Sequence, residues 1–177
     1  MEKIRINAQQ MVKLAPTLHA GDNVLLSGII YTARDAAHKR MIDLVDQGKK
    51  LPFELFGATI YYAGATPAPE GLATGSCGPT TSTRMDVFSP RLLDLGLKCM
   101  IGKGGRSAEV CEAICRNQAV YLCAIGGAGA LACRCIKKQD VIAFDDLGCE
   151  SIKRLEIEDF PLITAIDCHG GNLFKRP

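Results

Sequence analysis

The chain has 177 residues, 47% of them hydrophobic, and a net charge of only +2. That length supports a real hydrophobic core, and that composition excludes a disordered chain. Basic and acidic residues are interspersed, which leaves no broad electrostatic footprint for nucleic acid, and no apolar run approaches the roughly 20 residues that span a bilayer.

Lys3 to Asn7 alternates polar and apolar residues and predicts a short strand, and Ala8 to Leu14 predicts one or two helical turns. Ala20-Gly-Asp22 reads as a turn. Val24 to Tyr31 is a nearly continuous apolar run, the signature of a strand buried on both faces. Arg34 to Gln47 follows with helical spacing, with Ala37, Met41, Leu44 and Val45 on one face and Gly48 as the stop. Phe56 to Ala63, rich in aromatic and β-branched residues, predicts a second strong strand. Gly64 to Gly78 is a loop of Gly, Pro, Ala and Thr.

Ser82 to Leu95 predicts a helix ended by Gly96, with Pro90 imposing a kink or break near Ser89. Lys98 to Ile101 predicts a strand that leads into Gly102-Lys-Gly-Gly105. Ser107 to Asn117 predicts a helix capped by Ser107, and Ala119 to Ile125 a strand. After Gly126-Gly-Ala-Gly129 comes a short helix to about Cys135. Val141 to Phe144, Ile152 to Ile157 and Leu162 to Asp167 read as three strands joined by polar turns. Alternating strands and helices followed by a strand-rich end predict an α/β fold with mixed sheets and flanking helices. No linker or boundary interrupts residues 1–177, so one domain is expected.

Two stretches carry the chemistry. Tyr31-Thr-Ala-Arg-Asp-Ala-Ala-His-Lys-Arg40 and Gly78-Pro-Thr-Thr-Ser-Thr-Arg-Met85 each place an arginine near a predicted helix start. Helix N-termini attract anions, and a guanidinium adds a planar fork that fits a carboxylate. Together they point to a small polyanion, most simply a dicarboxylate. Arg34 is either such a clamp or a surface arginine paired with Asp35 or a helix-start carboxylate. Asp35 and His38 lie within one helical turn of it and could orient it, with a structural hydrogen bond the expected role for His38. Thr80 is a natural helix N-cap. Arg84, four residues on, would share its helical face. Lys103 sits among glycines, but the Gly-x-x-x-x-Gly-Lys-Ser/Thr phosphate loop is absent. Arg106 could contribute beside Lys103, with surface solvation the expected role.

These motifs, with Ile101-Gly-Lys-Gly104 and Asp159-Phe-Pro161, resemble the β subunit of class I, iron–sulfur-dependent hydro-lyases, the fumarate hydratases and L-tartrate dehydratases. The four motifs occur in the family's order, and the likeness runs from Gly21 to Phe174. The resemblance implies a swivelling β/β/α domain. It also implies a partner α subunit that holds a [4Fe–4S] cluster, an active site in the cleft between the two, and an assembly that is a homodimer or higher heteromer of αβ units. On this basis Arg34, Arg84 and Lys103 bind the dicarboxylate and Thr80 is the catalytic base, with Asp35 and His38 behind them. The activity implied is fumarate hydratase, with L-tartrate dehydratase as the alternative.

Two features compete. Gly126 to Ala132 contains Gly-x-Gly-x-x-Ala after a strand, so a dinucleotide-binding module is the alternative of another class. Little βαβ sequence follows it, which favours a tight turn. Nine cysteines, an odd number, are expected as thiols in a cytoplasmic chain. The N-terminus, with Glu2, Lys3 and Arg5, lacks the apolar stretch of a secretory signal. Cys111 and Cys115 share a helical face, and Cys133 and Cys135 lack a cluster-loop signature, so no metal or cluster ligands are expected in this chain.

Overall fold

Five strands close on themselves. The computed structural model describes residues 2–124 and 128–175. Strands β2 (Asn23–Thr32), β3 (Thr59–Tyr61), β4 (Cys99–Gly102) and β5 (Val120–Ala124) run parallel, neighbour to neighbour. The long strand β7 (Ile152–Ile166) lies antiparallel to both β5 and β2 and completes a small barrel. Two further strands extend it. β1 (Lys3–Asn7) pairs in parallel with the first half of β2, and β6 (Ile136–Ala143) pairs antiparallel with the first half of β7. Closure leaves few free edges, which is how small β architectures avoid pairing with other chains.

Parallel neighbours need crossover connections, and here these are helical. A short α1 (Met11–Leu14) follows β1, α2 (Asp35–Asp46) joins β2 to β3, α3 (Ser89–Asp94) precedes β4, and α4 (Ala108–Arg116) joins β4 to β5. Helix α5 (Ala128–Cys135) runs directly into β6. Ser107 caps α4 by accepting a hydrogen bond from the Val110 amide, 3.3 Å. Among the described residues, no helix is long and apolar enough to cross a membrane.

β3, β4 and β5 are buried on both faces, which is why they read as apolar runs, whereas β2 buries one face and half-buries the other and β7 leaves Glu156, Glu158 and Asp159 exposed. Leu26, Ile30, Tyr61, Ile101, Leu122, Leu155 and Phe160 form one cluster drawn from all five strands. Their alternating neighbours Ile60, Tyr62, Met100 and Tyr121 point outward and pack under Ala37 and Met41 of α2, Leu92 and Leu93 of α3, and Val110 and Ile114 of α4.

Several expected elements differ, among them the strand expected at Val141–Phe144, which runs from Ile136 to Ala143. The strand at Phe56–Ala63 shrinks to Thr59–Tyr61, because Gly57 turns the chain at φ +77° and leaves Phe56 exposed. The helix at Ser82–Leu95 is two pieces, a 3-10 turn at Ser82–Met85 and then α3, with Pro90 in the first turn of α3, where its missing N–H is harmless. The two late strands are one. β7 runs through Asp159-Phe-Pro161 by an irregularity opposite Ser27, where Asp159 adopts φ +48° and its amide bonds Ser27 Oγ, 2.9 Å. Phe160 stays in the core, edge-on to Tyr61.

Candidate active site at the carboxyl ends of the parallel strands

Because β2, β3 and β4 are parallel, their carboxyl ends share one rim, the edge where α/β sheets place their ligand crevices. Arg34 lies two residues beyond β2, in extended geometry at the start of α2. Its guanidinium pairs with Glu150, 3.1 Å, and its Nε is buried without a partner among the described residues. Gly64, just past β3, makes room for it. A Cβ at that position would stand 3.1 Å from Arg34 Nη1 and 3.1 Å from the Cys149 carbonyl oxygen.

Thr80 is fixed beside the end of β3, its amide donating to the Tyr62 carbonyl, 2.7 Å, next to a bridge between Ala63 and Pro79. Thr81 pairs in turn with Lys103, one residue past β4. The Ser82 amide donates to the Lys103 carbonyl, 3.1 Å, and the Lys103 amide donates to Ser82 Oγ, 3.0 Å. Arg84, in the Ser82–Met85 turn, forms an ion pair with Asp35 at the start of α2. A connected path thus runs from Arg34 through Gly64 to Thr80 and Lys103, and back through Arg84 to Asp35. Lys103 is exposed and makes no ion pair among the described residues.

Several local expectations change. Thr80 lies outside the turn and does not cap it. Thr81 holds the N-cap position and makes no side-chain capping bond. Thr80 precedes the 3-10 turn that carries Arg84, so the two do not share a helical face. Asp35 pairs with Arg84 and not with Arg34, and its Oδ1 is buried and unpartnered among the described residues. His38 is fully buried, with Nδ1 2.9 Å from the Arg34 carbonyl oxygen and the ring edge-on to Tyr62. Burial pushes its pKa down to about 4, so the ring is neutral at pH 7 and adds no charge to the rim.

Three contributors escaped the sequence. Glu150 meets Arg34 from a distant turn at Asp145–Glu150. Lys153, buried opposite Thr32 in the β2–β7 register, holds that turn. Its Nζ donates to Ser151 Oγ at 2.7 Å, the Cys149 carbonyl at 3.1 Å and the Gly148 carbonyl at 3.2 Å, and burial lowers its pKa. Arg106 is the third. Its side chain is fully buried, against the expectation of a solvated residue, and pairs with Asp86 at 2.6 Å. A charge is placed in a sequence only if its partners are, and neither Glu150, the partner of Arg34, nor Asp86, the partner of Arg106, is a sequence neighbour.

The cysteines do not present a cluster ligand set. Among the described residues, no three His, Cys, Asp or Glu side chains converge on a common point. Burial pushes Cys77 and Cys99 up to about 12, which disfavours the thiolate that ligates iron. Of the Gly126–Ala132 turn, Gly126 and Gly127 lie outside the described residues. Gly129 packs against the Gly78 backbone, and β6 runs antiparallel to β7 without pairing with β5, so the parallel β5–helix–strand unit that a dinucleotide fingerprint needs is not formed. A groove of about 530 Å³ between α4 and the C-terminal segment is lined by Cys111, Cys115, Ile166 and Phe174, and none of the four rim residues borders it.

The sequence matches the family model described as Fumarase C-terminus over residues 1–177. The chain belongs to the fumarase C-terminus family. It is 40% identical over 153 residues to "Fumarate hydratase class I, anaerobic" of Escherichia coli (strain K12), covering 85% of this chain and 28% of that protein. It is 41% identical over 157 residues to "Fumarate hydratase 1, mitochondrial" of Leishmania major, with 85% and 28% covered. A third relative is "Putative L(+)-tartrate dehydratase subunit beta" of Methanocaldococcus jannaschii, 38% identical over 165 residues, where the match covers 90% of this chain and 85% of the relative. The chain therefore spans little more than a quarter of the fumarate hydratases it matches and most of the tartrate dehydratase subunit. The family that the four motifs resembled is the family found.

Proposed function

We propose that this chain is a single hydro-lyase β-subunit domain that supplies the dicarboxylate-binding half of a fumarate hydratase, interconverting fumarate and (S)-malate. The observation that supports it most is the rim itself. Arg34, Arg84 and Lys103 stand on adjoining segments at the ends of three parallel strands, in a chain of the fumarase C-terminus family.

Arg34 and Arg84, paired with Glu150 and Asp35, each present a fork of donors, and Lys103 adds a point charge without a competing carboxylate among the described residues. Proton transfer at the carbon beside a carboxylate builds negative charge on that carboxylate, and preorganised cations lower the barrier by stabilising it. Thr80 handles that proton. A hydroxyl is a weak base at neutral pH, and the neighbouring cations Arg84 and Lys103 favour its deprotonated form. Asp35 holds Arg84, and His38 holds the Arg34 backbone.

The [4Fe–4S] cluster belongs to a partner α subunit in this proposal, since the donor groups of this chain do not fit it, and no step of this chain's chemistry runs through it. The domain swivels against that partner to close the cleft, and the assembly is a homodimer or higher heteromer of αβ units in the cytoplasm. One observation favours a second reading, L-tartrate dehydratase. A relative that is 38% identical to this chain carries that name. Tartrate is also a dicarboxylate and suits the same three cations.

The test is coexpression with a cluster-bearing α-type chain, followed by anaerobic assay on fumarate and L-tartrate and by light scattering. Hydration of fumarate by the complex, and by neither chain alone, is the expected result. Turnover of tartrate alone selects the second reading. A cluster-loaded complex inactive on both refutes the proposal.

A further inference from the structure

Arg106 is the most completely buried charge near the rim, and it touches none of the groups assigned to substrate. Its guanidinium lies between the rings of Tyr62 and Tyr121, 5.2 and 4.9 Å from their centroids. Its Nε donates to Asp86 Oδ1 at 2.6 Å, and its Nη2 donates to Ser89 Oγ at 2.8 Å and to the Tyr62 hydroxyl at 3.3 Å. An apolar side chain of similar volume would fill this space without the cost of desolvating a charge. It could not bind several segments by directed hydrogen bonds, and that is what the fork does.

One of those segments, reached through Asp86, carries Arg84, and Arg106 itself belongs to the loop that carries Lys103. Asp86 accepts Arg106 on one carboxylate oxygen and the Ser107 amide on the other, 2.7 Å. This ties the end of the loop 102–107 to the turn 82–86. The start of the loop is tied by the two bonds between Ser82 and Lys103. The middle is tied by the Tyr121 hydroxyl, which bridges Ser82 Oγ at 2.8 Å and the Gly104 carbonyl at 2.9 Å. The two segments are thus tied at three points, and Arg106 packed between its two tyrosines holds the last of them.

We infer that Arg106 is a positioning residue, whose buried fork between Tyr62 and Tyr121 locks the loop bearing Lys103 to the turn bearing Arg84 and so sets the separation of the two cations. This role rests on the function proposed above. A displacement on the order of 1 Å in a binding group costs up to about 100-fold in rate, so the lock has a measurable kinetic consequence.

The experiment is a double-mutant cycle in the assembled enzyme, with whichever of fumarate or L-tartrate it turns over. Arg106→Lys keeps the charge and loses the fork. It is expected to lower kcat/KM by about 10- to 100-fold in the wild-type background and by less than about 2-fold once Lys103→Ala is present. An equal loss in both backgrounds means that Arg106 serves stability alone and overturns the inference. If Arg106→Lys does not fold, Tyr121→Phe, which removes only the bridging hydroxyl, enters the same cycle with the same criterion. A second readout is independent of activity. In the free chain, hydrogen exchange at the Lys103 and Ser82 amides should accelerate in the variant, while Ile101 and Leu122 in the barrel keep their protection. Uniform acceleration, or none, overturns the inference. A wild-type complex inactive on both substrates sinks the proposed function, and the exchange measurement still decides the positioning role.

Discussion

Gly102→Ala puts the close packing beneath the rim to a quantitative test. A Cβ at Gly102 would lie 1.9 Å from Ser82 Oγ, 3.0 Å from a ring carbon of Tyr62 and 3.3 Å from Ser82 Cβ. The first distance is impossible, so either Ser82 rotates or the backbone moves. Rotation forfeits the hydrogen bonds that Ser82 Oγ accepts from the Lys103 amide and from the Tyr121 hydroxyl, each worth about 0.5–1.5 kcal/mol net. Moving the backbone instead is overpacking, at about 1–3 kcal/mol. Restricting the unfolded chain returns about 0.4–1 kcal/mol. The net expectation is a loss of about 1–2 kcal/mol, and for a chain of this size a fall in Tm of about 2–8 °C. Thermal and urea unfolding measure it. The control is the same substitution in a Ser82→Ala background, where the 1.9 Å contact no longer exists and most of the loss should vanish. A Tm unchanged by Gly102→Ala, or lowered equally in both backgrounds, refutes this account of how turn and loop are fitted together.

Arg84→Ala removes a half-exposed side chain whose ion pair contributes little to stability. Unfolding should be nearly unchanged while kcat/KM of the assembled enzyme falls by about 2–4 kcal/mol of transition-state stabilisation, and near-wild-type turnover would reject the clamp. Thr80 caps no helix, so Thr80→Ala should abolish most turnover with a change in unfolding free energy below about 0.5 kcal/mol; a drop in Tm with turnover intact would assign it a structural role instead. His38 titrates near 4 when folded against 6.5 for the free side chain, so between these values the unfolded chain binds the extra proton. Its contribution is complete above about pH 6.5 and lost as pH falls towards 4, about 3 kcal/mol in all. Urea unfolding across that window should show a shallower pH dependence in His38→Asn than in the wild type, and equal slopes would contradict a neutral buried ring.

Much of the scaffold was legible because burial on both faces writes β4 and β5 as apolar runs, and because Ser107 announces α4. Phe56 misled, since an aromatic residue beside a strand looks like part of it until Gly57 is known to turn the chain. Asp159 and Pro161 misled in the opposite sense. They carry turn chemistry, yet the irregularity opposite Ser27 absorbs Asp159 and lets β7 continue. Within the site, Arg34, Thr80, Arg84 and Lys103 stood out through their local motifs. Their pairing did not. Arg84 finds Asp35, Arg34 finds Glu150, and Arg106 finds Asp86 only after strand order brings distant segments together. No periodicity or spacing encodes such meetings.

The barrel is sealed by its last strand. β7 lies against β2 with partners more than a hundred residues apart in the chain, Thr32 with Lys153 and Asn23 with Ile163. Chains dominated by such distant contacts fold slowly, because the entropy of closing a long loop is lost before the contact rewards it. During synthesis, at about 5–20 residues per second, the segments from Arg34 to Lys103 leave the ribosome well before the strand that encloses them. The edge of β2 is open throughout that interval, so a nascent chain halted before Ile152 presents an unsealed apolar sheet, a substrate for chaperones or for aggregation and not yet for catalysis.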